Sequence, residues 1–90
     1  MSGLYAEGKR VMHYRLTTKY GGRSEHVEYY KTFNEALEDG RVFMDTWTEP
    51  KNRVGSLRGD GLVELWFEHR KLGYVLLEQR MPNGNYRRIG

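Results

Sequence analysis

Between Thr32 and Pro50 lies the one stretch of this 90-residue chain whose apolar residues recur at helical spacing, and that single helix constrains the fold more than any other feature. Phe33, Leu37, Phe43, Met44 and Trp47, with the small Ala36 and Gly40, form one stripe at the three-and-four spacing of a buried helical face. Asn34, Glu35, Glu38, Arg41 and Asp45 occupy the opposite side. The start is marked by a capping box, Thr32-Phe33-Asn34-Glu35, in which the threonine hydroxyl and the glutamate carboxylate each satisfy an orphan backbone amide. Pro50 forbids continuation, so the helix is predicted over about residues 33–47. Glycine costs about 1 kcal/mol relative to alanine inside a helix. Gly40 within the apolar stripe therefore predicts a close approach to the sheet.

The remainder reads as short alternating strands. From Arg10 to Lys31 the pattern is a hairpin, with Gly21-Gly22 as a two-residue turn. That turn sets Tyr14 opposite Tyr29 and Leu16 opposite Val27 on the inner face. On the outer face it pairs His13 with Tyr30, Arg15 with Glu28 and Thr17 with His26. Farther on, Val63, Leu65 and Phe67 alternate with Glu64, Trp66 and Glu68. With Lys71-Leu72-Gly73 as a three-residue loop, Phe67 faces Leu77 and Val63 faces Met81 inside, while Trp66 lies by Glu78 and Glu64 by Arg80 outside. Asn83-Gly84 is a strong turn signal that brings Tyr86 to Ile89 back as a short last strand. Arg53 to Arg58 is compatible with one more strand of unassigned register. The expected fold is α+β: ββα followed by antiparallel strands, one mostly antiparallel sheet with a single amphipathic helix on one face. One helix cannot cover both faces of such a sheet.

Length and composition bound the function. Ninety residues make one domain, read here as a loose tail over 1–8 and a folded unit over 9–90, in which roughly 65% of the chain's surface can be buried. Without cysteine there is no disulfide scaffold, thiolate metal site or cysteine nucleophile. The apolar fraction of 38% against 30% charged residues, with no long apolar run and no secretory signal in Met1 to Arg10, leads us to expect a cytoplasmic protein with no membrane partner. A net charge of +3 is mild, and the basic residues are spread rather than gathered on one stripe.

Catalytic patterns are missing. Ser2, Ser24 and Ser56 have no nucleophile-elbow context, and Glu64 with Glu68 are outward acids on one strand. His13 and His26 share a face in the deduced register but stand about 13 Å apart, too far for one metal ion, and His69 falls on the core side by alternation. The glycines from Gly55 to Gly61 precede a strand rather than a helix, unlike a phosphate-binding loop. Arg58-Gly59-Asp60 is read as a chance tripeptide. Neither cofactor nor metal is expected, and the chain is read as a non-enzyme.

The suggestive feature is the uncovered sheet face. Trp66, Tyr74, Leu76, Ile89, Tyr30 and His13 are assigned to it together with Arg70, Arg80 and Arg87. Aromatic residues and arginine are enriched at binding hot spots, and Glu64, Glu68 and Glu78 interspersed among the arginines make a near-neutral patch suited to protein rather than phosphate. The expectation is a protein-interaction module, as a homodimer or as an inhibitor or adaptor docked on a larger protein, of the type that phages and mobile elements encode. The alternative is single-stranded nucleic-acid binding, with bases stacked on Trp66, Tyr30 and His13, or with Lys51, Arg53 and Arg58 gripping phosphates.

Overall fold

The computed structural model describes residues 12–90; the tail assigned to 1–8 lies outside them. Six strands form one antiparallel sheet: β1 (Tyr14–Tyr20), β2 (His26–Tyr30), β3 (Arg53–Ser56), β4 (Leu62–Phe67), β5 (Arg70–Arg80) and β6 (Tyr86–Arg88). Their order is β2-β1-β5-β4-β3, with β6 paired to the far end of β5. Helix α1 (Phe33–Trp47) follows β2, and a one-turn helix α2 (Leu57–Asp60) links β3 to β4. The ββα start, the antiparallel sheet and the single long helix are those expected from the sequence.

α1 begins where its capping box places it. The Thr32 hydroxyl accepts from the Glu35 amide at 3.1 Å, and the Glu35 carboxylate accepts from the Thr32 amide at 3.3 Å. The helix ends before Pro50, which opens a short 3-10 turn, Pro50–Asn52. Its last turn holds no basic residue. The missing cation comes from β3: the Arg53 guanidinium donates to the Thr48 carbonyl at 2.8 Å, the Thr48 hydroxyl at 3.1 Å and the Asp45 carboxylate at 2.9 Å. A cation there answers both the orphan carbonyls and the negative end of the helix dipole.

The core lies between α1, α2 and one face of the sheet. Leu16, Val63, Leu65, Val75 and Leu77 rise from β1, β4 and β5 to meet Ala36, Met44 and Leu57. A side chain at Gly40 would meet Leu57 at 2.5 Å, Leu16 at 3.4 Å and Val75 at 3.5 Å. Gly40 is thus a point of close approach, as its place in the stripe predicts, and the nearest neighbour is α2.

Both hairpin registers differ from the expected ones. In the first, Tyr14 faces Tyr30, Leu16 faces Glu28 and Thr17 faces Val27, and the loop runs over 21–25. A one-residue slip exchanges every side chain of β2 between faces. Val27 and Tyr29 therefore leave the core side, and His26 and Tyr30 join it. Tyr30 is held there by a 2.7 Å hydrogen bond from its hydroxyl to Asp39 on α1. Burial first, then that bond, hold the Tyr30 phenol well above its ordinary value.

In the second hairpin Val63 faces Val75 and Leu65 faces Gly73, with an irregularity before Trp66 faces Lys71. The turn is Glu68-His69, with Glu68 at φ 56°, so β5 already begins at Arg70. Gly73 is buried within β5 and lies against the Lys19 carbonyl of β1, where no side chain fits. The glycine that signals a turn in the sequence serves backbone approach instead. Val63 and Leu77 are core residues as expected, but Phe67 is 55% exposed at the hairpin tip and Met81 belongs to the next turn. His69 is exposed in its turn rather than directed at the core. That next turn centres on Pro82-Asn83, closed by Gly84 N–H to Met81 O at 2.8 Å, with Gly84 following at φ 90°.

Candidate interaction face

The register determines which side chains stand opposite α1. Row by row they are Tyr29, Arg15, Glu78 and Arg88; then Val27, Thr17, Leu76, Leu62 and Ser56; then Lys19, Tyr74, Glu64 and Val54. His13 and Arg80 extend the face beyond the first row, beside Tyr86, and Lys71 and Trp66 extend it beyond the last. Val27, Leu76 and Leu62 of the middle row, with Val54 of the last, form an apolar band interrupted by the buried Thr17, and neither α1 nor α2 covers it. Val54 is 57% exposed, Tyr29 47% and Val27 42%. A concavity of about 450 Å³ opens beside the band, with Val27, Tyr29, Tyr74 and Leu76 among its walls.

Charges on this face are largely paired within it. Arg15 Nε donates to Glu78 Oε1 at 2.8 Å, a bond that raises the guanidinium pKa still further. The Arg15 guanidinium also lies 4.7 Å over the Tyr86 ring, which meets Tyr29 edge-on at 5.7 Å. Lys71 approaches Glu64 at 3.6 Å, and the same carboxylate accepts from the Trp66 indole at 3.1 Å. Four of the seven charged side chains on the face are thus pinned in pairs around an apolar centre, and Lys19, Arg80 and Arg88 make the face net positive.

Of the side chains assigned to this face from sequence, Trp66, Tyr74, Leu76 and Arg80 stand on it, and His13 enters at its margin, its backbone carbonyl accepting from the Arg80 amide at 2.7 Å. Four do not. Tyr30 is turned to α1 by the slipped register. Ile89 packs against the core, its amide donating to the Leu77 carbonyl at 3.2 Å. Arg87 faces Gln79, which alternates with Glu78 and Arg80, and Arg70 faces Phe67 at the hairpin tip. In their place stand Val27, Tyr29, Val54, Tyr86 and Arg88. The sequence signal for Val27 and Tyr29 lies in the polar run Gly21 to Glu25, which is read equally well as a five-residue loop as a two-residue one.

The cations proposed for phosphate do not converge. Arg53 is bonded at the C-terminal end of α1, whereas Arg58 lies 5.6 Å over the ring of Phe33 at the other end, about 22 Å away along a 15-residue helix. Lys51 is exposed and 3.9 Å from Glu49. His13 and His26 fall on opposite sides of the sheet, and His26 Nε2 is 2.8 Å from Glu28. Among the described residues no three His, Asp or Glu side chains come together, and no helix is long and apolar enough to cross a membrane. No protein-family model matches the chain, and neither curated proteins nor solved structures show significant similarity to it.

Proposed function

We propose that the protein is a non-enzymatic interaction module that docks the open face of its sheet onto another protein, as an inhibitor or adaptor does. The observation that carries this reading is the apolar band Val27–Leu76–Leu62–Val54, which no element among the described residues covers and which Tyr29 and Trp66 flank. Five strands about 4.8 Å apart and three side-chain rows make a footprint of roughly 500 Å², enough for about 1,000 Å² of total buried surface, the lower bound for a specific interface. Arg15 and Lys71 are paired with carboxylates on the face itself, and the remaining cations, Lys19 on one side of the band and Arg80 with Arg88 on the other, are separated by apolar side chains rather than gathered into a track for a phosphate backbone.

The test uses two measurements. Wild type and Leu76→Glu serve as parallel baits for quantitative affinity capture; a partner held by wild type and lost with a variant of unchanged melting temperature is the expected result. A labelled single-stranded oligonucleotide is then titrated at two salt concentrations. Binding that weakens steeply with salt overturns the protein-partner reading in favour of nucleic acid.

A further inference from the structure

We infer that the protein self-associates through the outer edge of β2, two copies pairing antiparallel about a twofold axis at Val27. The pairing uses main-chain groups at the edge of the sheet rather than the open face, although the Val27 side chain on its axis also belongs to the band on that face.

The sheet has two lateral edges of different construction. β3 is four residues long, follows the 3-10 turn at Pro50 and is kinked at Gly55, which takes φ 108°. Such distortion is how proteins prevent an edge from recruiting another strand. β2, His26-Val27-Glu28-Tyr29-Tyr30, contains no proline, glycine or lysine, and its residues are exposed except Tyr30. It is bonded to β1 on one side, and among the described residues no strand lies on the other. Such an edge presents free amides and carbonyls to any strand that matches it.

The matching strand is a second β2. Twofold pairing keeps each side chain on its own face only if a residue lies opposite itself or an even number of positions away. With Val27 on the axis, His26 faces Glu28 of the second copy on one face and Glu25 faces Tyr29 of the second copy on the other. The His26–Glu28 contact, 2.8 Å within one chain and on exposed side chains, becomes a ring of two imidazoles and two carboxylates. A carboxylate accepts a hydrogen bond from an imidazole N–H, so this cross-strand pair is favourable. Neighbouring registers are worse. An axis at Glu28 sets two carboxylates face to face, and an axis at Tyr29 brings His26 of the second copy against Thr32, where the chain turns into α1.

The contact is small, so association is expected in the weak range and is sought by sedimentation velocity from about 10 µM to about 1 mM. A concentration-dependent dimer is expected. Val27→Lys sets two like charges on the axis and should weaken association at least tenfold with an unchanged melting temperature. His26→Glu should do the same, and adding Glu28→Lys to it should restore the dimer by recreating opposite charges. The chain has no cysteine, so Val27→Cys introduces a single thiol that should link two copies on mild oxidation, whereas Tyr29→Cys thiols would be about 13 Å apart and should not. A monomer throughout this range overturns the proposal, as does a dimer that Val27→Lys leaves intact or in which the two thiol variants link equally. A dimer that Val27→Lys breaks, with partner capture that Leu76→Glu leaves intact, is failure of the open-face reading alone; a monomer whose partner capture Leu76→Glu abolishes is failure of this one alone.

Discussion

Leu76 and Leu77 are neighbours in β5 and opposite in circumstance. Leu77 is fully buried against Leu16 and the helical layer; Leu76 stands in the apolar band of the open face. The covered face is built by volume, with Val63, Leu65, Val75 and Leu77 filling the space under α1 and α2 and, among the described residues, Thr18 and Thr48 as its buried polar side chains. The open face is built in part by pairing, Arg15 with Glu78 and Lys71 with Glu64 on either side of the band. Alternation along a strand produces both at once. Apolar content therefore does not mark the core here; what marks it is the layer that lies above.

The sharpest way to break this comparison is to truncate the two leucines. Leu77→Ala should cost about 2–5 kcal/mol, since the cavity cannot fill, and Leu76→Ala about 1 kcal/mol, since its surface is only partly removed from water; urea denaturation reads both. Equal losses would show that the open face is packed after all. Gly40→Ala comes next. Overpacking costs about 1–3 kcal/mol, partly offset by about 1 kcal/mol of helix propensity, so a net loss is expected, shrinking in a Leu57→Val background. Thr32→Ala removes the capping hydroxyl and should lower stability by about 1 kcal/mol by thermal melting, without altering either face.

The smallest effect lies in Tyr30. Its folded phenol titrates above the ordinary value of 10.0, so the fold favours the neutral form. That contribution is intact below about pH 10 and is lost as the pH rises beyond it. Comparing denaturant midpoints near pH 8 and near pH 11, Tyr30→Phe should lose less than wild type. An identical alkaline loss would mean that Tyr30 is not held against α1.

Much of this was legible in the sequence. The stripe from Phe33 to Trp47, the capping box and Pro50 act within a few residues of themselves, and α1 appears with the expected bounds. Val63, Leu65 and Leu77 declare themselves core by alternation, and Trp66, Tyr74 and Leu76 fall on the open side by the same rule. The errors concentrate at the hairpins. In β2 both parities look amphipathic, because Val27 and Tyr29 offer as much apolar surface as Tyr30 beside His26 and Glu28. At Gly73 one residue type serves two purposes, and local sequence does not distinguish a turn from close backbone approach.

By itself, then, the sequence determined what short-range physics decides: one helix with its cap, the number and approximate place of the strands, and an α+β sheet with one layer of cover. Only the tertiary structure decided the registers, since these depend on Asp39 reaching Tyr30, on Lys19 lying against Gly73 and on Arg53 closing the end of α1. Those partners are distant along the chain or carried by another element, and a slip of one residue costs little locally while exchanging a whole strand between core and solvent.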